Sequence, residues 1–496
     1  MKLRARSEAA LCAALFVAAA LVRVLFLAGT VDRDLPFSIF YYGDSRIYRE
    51  FALALIRGDV FDQGIPLHPP AFAYVLSWII EWVGERPATI RGLLAVGSAT
   101  VVPMTYLLGR ALFGRAVGVV GALFATFSFG LCVVAVSANA ETIYIPLLVA
   151  QALLLVLLGD ALAQDRARAA TILGAASGIV LGLGALTRAE HFGFAFVLPV
   201  ALVLGWPAVP WRRVAAYVGA IAGIGVLLTV PWMIRNHRTL TQFNAAHPEL
   251  VEPLRTWVGV SATGPLVFAL ANNANADGTF RPEALLTVMG HGRLDLTDAR
   301  QADVYLHGYR RGWAFLAGSP GAAASLLSRK FALASDAYAL GFGLSNWPEG
   351  LTGTRRPVDV FTPDLSGWKW ANVFLLAAGI WVSRPVLRRA AILWLAGLFV
   401  VAVTLASFGY ARFFLQFAPF VFLFHAAALV AGAKRQRTAA SRQVVAWLGV
   451  ALAALLTVEL ALAPAHPLNF RASGSADPAT GKIAQDAEVK LEPAAR

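Results

Sequence analysis

Residues 2–29 read KLRARSEAALCAALFVAAALVRVLFLAG, in which three basic side chains precede an apolar run that starts at residue 9. About 20 apolar residues are enough to cross a bilayer as a helix. The run is also longer than the apolar core of a typical signal peptide. We therefore expect a retained first span whose basic N-terminus lies in the cytoplasm.

The rest of the chain repeats this pattern. Of its 496 residues, 58% are hydrophobic and 14% are charged, whereas soluble domains carry roughly 25% charged residues. The recurring apolar runs predict an all-α polytopic membrane protein with about eleven spanning helices. The predicted spans lie near residues 9–29, 89–109, 116–136, 142–159, 170–187, 192–206, 214–232, 369–383, 390–408, 411–432 and 443–463.

The loop charges predict the orientation. The N-terminal segment and the loops on its side of the membrane carry sixteen basic residues against three acids, Glu8, Asp160 and Asp165. The first loop on the other side, residues 31–88, has eight acids and five bases. This asymmetry follows the positive-inside rule and predicts a multi-pass protein of the bacterial inner membrane with its C-terminus outside. Most of the excess behind the net charge of +13 lies in these short loops, so we expect no nucleic-acid partner.

One apolar stretch does not fit as a span. Residues 70–84 read PAFAYVLSWIIEWVG, and counting them as a span would put Arg110 and Arg115 outside. About 15 apolar residues also favour a helix that lies at the interface. We therefore expect two juxtamembrane helices in the first outer loop, over residues 46–57 and 70–84.

Four parts of the chain follow from these assignments. We expect residues 1–234 to form an N-terminal transmembrane module that includes the outer loop 31–88 and holds the candidate catalytic residues described below. Residues 235–368 form a second outer region with helical patterns around 281–290, 299–318 and 321–336. Residues 369–463 hold the C-terminal spans, and the polar tail 464–496 is predicted to be disordered.

Several ionisable side chains fall at one predicted depth, near the outer membrane face. They are Asp44 in the first outer loop, Glu141, Arg188 and Glu190 at the ends of spans, and Arg235 after the seventh span. Each one alone is compatible with an ordinary loop charge or an interface anchor. Together they favour a functional site, because ionisable groups in and beside a membrane are costly to keep.

Six short motifs occur in order across about 200 residues of this region. They are Asp44 followed by Tyr48, the step Pro69-Pro70 before an aromatic residue, Leu108-Gly109-Arg110 with Phe113-Gly114-Arg115, Ala140-Glu141-Thr142, Leu186-Thr187-Arg188, and Pro231-Trp232-Met233-Ile234-Arg235-Asn236. Their order and spacing resemble glycosyltransferase family 39, which includes the protein O-mannosyltransferases and the lipid A aminoarabinose transferases. The resemblance covers roughly residues 9–345, with a weaker echo at Tyr410-Ala411-Arg412, and implies the GT-C fold.

The resemblance also implies a reaction. A sugar linked to polyprenyl phosphate would be presented from the bilayer at the outer face, and a hydroxyl of a lipid, glycan or protein acceptor would attack its anomeric carbon with inversion. The hydroxyl needs a base, for which we choose Asp44, with Glu141 as a second catalytic candidate. The departing phosphate gains negative charge, so it needs cations or hydrogen-bond donors. The phosphate-binding candidates are Arg46, Arg49, His68, Arg188, Arg235 and Lys330, and the substrate-binding candidates are Tyr48, Glu190, Asn236 and Asn273.

The sequence departs from the family pattern at two places. Ser45 stands where a second acid often follows the first. Leu67 and His68 stand where the lipid A transferases have a Glu-Lys pair, which leaves the acceptor open. His68 fits equally well as a residue that caps a helix, and Lys330, which matches a family lysine, fits equally well as a lysine anchored at the interface.

Two other functions remain open. A transporter would place charges or broken helices near the middle of the membrane and would show repeat symmetry. A ligase or polymerase for polyprenyl-linked glycans would centre its chemistry on an arginine-rich outer loop. No Asp-x-Asp pair occurs in the second outer region, so we expect no cofactor there, although the sequence alone leaves metal dependence open.

Overall fold

The computed structural model describes residues 2–28, 33–36, 38, 42–59, 65–250, 252–280, 296–335 and 367–435. Every long element in these ranges is a helix. In chain order the helices are α1 (Lys2–Ala28), α2 (Tyr42–Arg57), α3 (Ala71–Val83), α4 (Pro87–Ser98), α5 (Val101–Phe113), α6 (Arg115–Phe127), α7 (Phe129–Val136), α8 (Glu141–Ala163), α9 (Ala167–Thr187), α10 (Phe194–Gly205), α11 (Trp211–Ala246), α12 (Gly264–Ala271), α13 (Ala299–Gly318), α14 (Pro320–Ser335), α15 (Gly367–Val382), α16 (Ala391–Ala406), α17 (Ala411–Leu415) and α18 (Ala418–Arg435).

The all-α membrane architecture predicted from the apolar runs is confirmed. Ten of the eleven predicted spans coincide with a helix or with two consecutive helices, and the eleventh, 443–463, lies outside the described residues. Within the described ranges, five helices are long and apolar enough to cross a membrane: Arg6–Ala28, Pro87–Phe113, Glu141–Ala163, Ala167–Thr187 and Trp211–Ala246. The other apolar helices are shorter, so the count of eleven spans stays a prediction.

The first predicted outer loop contains both expected helices, α2 and α3. Phe51 and Ala52 of α2 pack against Phe72 and Leu76 of α3 in one buried cluster. At 1.5 Å per residue, the 13 residues of α3 extend about 20 Å, which is less than the roughly 30 Å of a bilayer core. Helices of similar length, such as α6 and α10, coincide with predicted spans, so it stays a prediction that residues 70–84 do not span.

Helix α11 is longer than predicted. It runs without a break from Trp211 to Ala246 and contains Pro231 in its interior, although the predicted span stops at 232. Proline is tolerated inside membrane helices because neighbouring groups satisfy the freed carbonyl. The boundary that we place between residues 234 and 235 therefore lies within a continuous helix. Arg235 and Asn236 lie on this helix, so their backbone is fixed relative to the bundle.

Close packing of α9 against α11 depends on glycine. A Cβ atom at Gly178 would lie 2.7 Å from Cβ of Ile224, and one at Gly182 would lie 2.8 Å from Cβ of Leu228. These glycines are four residues apart and face the same neighbour, which is the small-xxx-small pattern of membrane helix pairs. This contact positions the C-terminal half of α9, and Arg188 follows directly after the last residue of that helix.

Ion pairs join the loops at one end of the bundle. All three acids that we count in the cytoplasmic loops pair with bases from other loops predicted on that side. The pairs are Glu8 with Arg110 at 3.6 Å, Asp160 with Arg389 at 2.6 Å and Asp165 with Arg213 at 2.5 Å. These loops therefore share one end, and the predicted site residues Asp44, Glu141 and Arg188 lie at the other, which we call the site end.

Candidate active site

Asp44 forms an ion pair with Arg412, a residue 368 positions later in the chain. Asp44 lies in the first turn of α2, and its side chain is 33% exposed, whereas that of Arg412 is 10% exposed. The Nε atom of Arg412 also lies 3.9 Å from Oε1 of Glu141. Arg412 therefore holds an accessible carboxylate on one side and faces a buried one on the other.

Glu141 connects this pair to a second arginine. Its side chain is 2% exposed, and Nη1 of Arg188 donates a hydrogen bond to its Oε1 atom. Nε of Arg188 donates to Oε1 of Glu190 at 2.5 Å. We call Asp44, Arg412, Glu141, Arg188 and Glu190 the acid–arginine network. It alternates acids and bases, and charge-assisted hydrogen bonds of this kind are strong and directional.

Aromatic rings enclose the two guanidinium groups. The ring of Phe413 lies beside both, with centroid distances of 5.0 Å to Arg188 and 5.5 Å to Arg412. Tyr144 lies 5.7 Å from Arg188, and Tyr410 lies 5.3 Å from Arg412. Rings within about 6 Å attract cations and keep water away from them. The network is therefore built in a partly dry environment, where its charges interact more strongly.

The turn before α8 explains the position of Glu141. Asn139 accepts a hydrogen bond from the Ala140 N–H at 2.7 Å, and the buried Arg91 donates to the Val136 carbonyl at 2.6 Å. Ala138 takes a positive φ of 48°, which an alanine rarely adopts. The chain therefore turns sharply and starts α8 with Glu141, where the positive end of the helix dipole favours an acid.

Tyr48 and His68 lie beside Asp44. Tyr48 is one helical turn after Asp44 and is buried, and its ring centroid lies 6.0 Å from that of His68. Burial raises the pKa of Tyr48, so its hydroxyl stays protonated. Burial lowers the pKa of His68 although nearby Asp44 opposes this effect. The imidazole is therefore neutral at pH 7, and its buried Nδ1 atom has no hydrogen-bond partner among the described residues.

Backbone contacts from the second predicted outer region hold the segment that carries His68. The Ala262 N–H donates to the Pro66 carbonyl at 2.7 Å, and the Ser261 hydroxyl donates to the Leu67 carbonyl at 2.6 Å. Asn236 donates from Nδ2 to the carbonyls of residues 259 and 260 at 2.9 and 3.2 Å. Asn236 therefore ties α11 to residues 259 and 260, and the next two residues, 261 and 262, hold residues 66 and 67.

Arg235 is half-buried and lies against a tryptophan of its own helix. Its guanidinium carbon lies 4.7 Å from the ring centroid of Trp232, and Nη1 donates to Asn236 at 3.3 Å. Trp232 in turn lies 6.3 Å from Tyr74 of α3. Trp232 therefore contacts α3, and Arg235 lies three residues after it on α11.

Four other predicted residues lie outside the network. Arg46 pairs with Glu50 at 3.0 Å on the exposed side of α2, and Arg49 pairs with Glu85. Asn273 donates to the carbonyls at the end of α12 at 3.0 Å. Lys330 is fully buried and donates to Oδ1 of Asn272 at 2.9 Å.

Sequence reasoning missed three residues of this region. Arg412 had a signal, since Tyr410-Ala411-Arg412 weakly echoes the family pattern, but its partner Asp44 is distant in sequence. Arg91 looks like a helix-start charge, and Asn272 looks like part of a polar loop. Among the described residues, no group of three His, Cys, Asp or Glu side chains is arranged to hold a metal ion.

Residues 67–234 match the model of the family described as dolichyl-phosphate-mannose-protein mannosyltransferase. This segment includes Glu141, Arg188 and Glu190, whereas Asp44 and Arg412 lie on either side of it. A comparison with curated protein sequences gives no match.

Solved structures give a wider comparison. The oligosaccharyltransferase of Archaeoglobus fulgidus tethered with an acceptor peptide has a TM-score of 0.50 at 15% identity, over 97% of this chain and 59% of that one. AglB from the same organism, in complex with an inhibitory peptide and a dolichol-phosphate, has a TM-score of 0.49 at 13% identity over the same shares. ArnT from Cupriavidus metallidurans bound to undecaprenyl phosphate has a TM-score of 0.36 at 18% identity, over 85% and 78%.

The chain thus spans 59% of the length of the oligosaccharyltransferase whose fold it shares. That fold and the family match over residues 67–234 together confirm the resemblance to the GT-C membrane glycosyltransferases that the sequence motifs indicate.

Proposed function

We propose that this protein is an integral membrane glycosyltransferase that moves a sugar from a polyprenyl-phosphate-linked donor to an acceptor hydroxyl at the outer face of the bacterial inner membrane. The observation that carries the proposal is the acid–arginine network, which joins α2, α8, the turn after α9 and α17 at the site end. The family description, which names a dolichyl-phosphate-linked mannose, supports the class of donor.

The reaction needs one proton acceptor and one departing phosphate. In our proposal Asp44 takes the proton of the acceptor hydroxyl while its oxygen bonds to the anomeric carbon and the bond from that carbon to the phosphate oxygen breaks. The electron pair leaves with polyprenyl phosphate, and attack from the opposite face gives inversion. Asp44 suits this role because it is accessible and because Arg412 fixes its orientation.

Glu141 has a different role in the proposal. It is too deeply buried to meet an acceptor directly, and it contacts both arginines through the same oxygen atom. We therefore assign it to holding Arg188 and Arg412 in place. Tyr48, which lies beside the network, and Glu190, its outermost acid, are our candidates for contacts with sugar hydroxyl groups.

For the donor phosphate we favour Arg235 and His68. His68 lies against α2, and Arg235 lies on Trp232, which contacts α3. A lipid-linked donor would approach these helices from the bilayer, and a buried neutral imidazole can still donate one hydrogen bond. Arg46 and Arg49 are less suited, because Glu50 and Glu85 already engage them on the exposed side of α2. Arg188 is engaged by two acids, so its charge is largely compensated.

The test compares surface glycans in a strain that lacks the gene with those in the same strain carrying the gene. Mass spectrometry of glycolipids and glycoproteins should show one sugar missing in the deletion strain and restored by the wild-type gene. Asp44→Asn should lose transfer by about 100-fold or more, since general base catalysis contributes roughly that much, while inserting normally into the membrane.

Glu50→Gln is the matched control, because it makes the same chemical change on the same helix at an exposed position outside the network. It should restore the sugar fully. Full restoration by Asp44→Asn would exclude Asp44 as the base. Unchanged glycans in the deletion strain would exclude the transferase, and glycan chains of altered length would instead favour a ligase or polymerase.

A further inference from the structure

A second buried polar cluster lies at the end of α16, and the proposed reaction does not use it. Nζ of the fully buried Lys330 donates to Oδ1 of Asn272 and to the Leu405 carbonyl oxygen, both at 2.9 Å. Nδ2 of Asn272, also buried, donates to the Ala406 carbonyl oxygen at 2.8 Å. The cluster therefore binds the carbonyl groups of two consecutive residues.

These two carbonyl groups belong to the last turn of α16. The last four carbonyl groups of a helix lack partners within it, and a basic side chain is favourable beside them. The Ser407 N–H turns back to residues 403 and 404, which leaves the carbonyls of 405 and 406 to other donors. Lys330 from α14 and Asn272 from the end of α12 supply those donors, so together they cap α16.

The chain that follows the cap is held along its length. The Gly409 N–H donates to the Gly278 carbonyl at 2.7 Å, and the Phe280 N–H donates to the Tyr410 hydroxyl at 2.8 Å. Gly409 also packs directly on Lys330, since a Cβ atom there would lie 2.5 Å from the Lys330 carbonyl oxygen. We call residues 405–411 the strap. It runs from the capped end of α16 to Arg412.

Arg412 is thus the first side chain after the strap, and it is the residue that joins Asp44 to Glu141. A guanidinium group must be placed within a few tenths of an ångström to meet carboxylates on two other helices. Because Arg412 directly follows the strap, the position of the strap determines the position of the Arg412 backbone. Lys330 makes two of the contacts that hold the strap, one through its side chain and one through its backbone.

We propose that Lys330 is a positioning residue which, by capping α16, fixes the strap and so places Arg412 against Asp44 and Glu141. The catalytic meaning of this inference rests on the proposed function, but the mechanical link between Lys330 and the network does not. It gives Lys330 a role other than contact with the donor phosphate. Burial supports this role, because it lowers the pKa of Lys330 to about 7 and so weakens it as a permanent cation for phosphate.

The test is a double-mutant cycle between Lys330 and Asp44, read as the Tm of the full-length protein in detergent micelles. Lys330→Met removes the cap, and Asp44→Asn removes the ion pair with Arg412. Lys330 and Asp44 are on different elements and each contacts the strap or Arg412 rather than the other. If Lys330 places Arg412, the Tm loss in the double variant should be clearly smaller than the sum of the two single losses.

Arg329→Met is the matched control, because it removes a neighbouring exposed cation from the same helix. Its Tm change should add to that of Asp44→Asn. Asn272→Ala removes the other half of the cap. Its Tm loss combined with Asp44→Asn should also be smaller than the sum of the two single losses. This second cycle decides the test if Lys330→Met does not fold. Additive losses for the cap variants would overturn the inference. The cycle uses no substrate, so its result is independent of whether the protein transfers a sugar.

Discussion

At the scale of single residues, Glu141 shows that a buried acid can be essential for structure without taking part in a reaction. Its side chain is nearly inaccessible, and two arginines meet one of its oxygen atoms. Removing one partner of a buried ion pair leaves the other charge uncompensated and costs about 3–5 kcal/mol. A loss of activity in Glu141→Gln could therefore arise from displacement of Arg188 and Arg412, and would not show that Glu141 takes part in the reaction. The more exposed Asp44 is the better probe of the base.

Arg235 allows a sharper test of the donor site. Arg235→Ala should raise the KM for the lipid-linked donor about 10-fold or more, because a charge-assisted hydrogen bond to phosphate contributes roughly 1.5–3 kcal/mol. The KM for the acceptor should stay unchanged. Initial rates with the donor varied at fixed acceptor, and then the reverse, measure both constants.

Arg238→Ala is the control for this prediction. Arg238 lies three residues further along the same helix and is exposed, so its removal should alter neither constant. An Arg235→Ala enzyme with wild-type dependence on donor concentration would remove Arg235 from the phosphate site.

Individual site residues were only partly predictable. Glu141, Arg188 and Glu190 stand out in sequence because each is an ionisable group at the end of an apolar run, and Asp44 stands out by its motif with Tyr48 in the first outer loop. The structure brings these four together. Arg412 has only the weak echo of the family pattern at Tyr410-Ala411-Arg412. Its role comes from a contact across 368 residues, which periodicity and local motifs do not contain.

At the scale of elements, apolar periodicity and caps predict helices well where both are present. Helix α13 begins at residue 299 and ends at 318 as predicted, because Asp298 accepts hydrogen bonds from the N–H groups of Arg300 and Gln301. Helix α11 runs 14 residues past the predicted end at 232. The residues after 232 are polar and show no apolar periodicity, and Pro231 in the sequence favours a helix end. Tertiary packing overrides this preference.

The contact between α9 and α11 gives a prediction about stability. Gly178→Ala should destabilise the protein by about 1–3 kcal/mol, because overpacking at a tight helix contact costs that much. Gly219→Ala on α11 should instead be neutral or stabilising, since a Cβ atom there meets nothing within 4 Å and alanine is the better helix former. Thermal unfolding in detergent measures both. A Tm for Gly178→Ala at or above that of the wild type would contradict the close packing.

At the scale of the whole molecule, the charge pattern of the loops predicts which end faces the cytoplasm. With Cys12 and Cys132 replaced by serine, we expect a single cysteine at the exposed Trp257 to react with a membrane-impermeant maleimide on intact cells. A single cysteine at the exposed Arg168 should react only after permeabilisation. The reverse pattern, or labelling of both positions on intact cells, would refute the proposed orientation.

The ion pair between Asp44 and Arg412 also has a consequence for synthesis of the protein. Its two members are 368 residues apart, and a ribosome adds roughly 5–20 residues per second. The helices between them are therefore synthesised before Arg412 can reach Asp44. The acid–arginine network is therefore incomplete in the nascent chain until translation has passed residue 412.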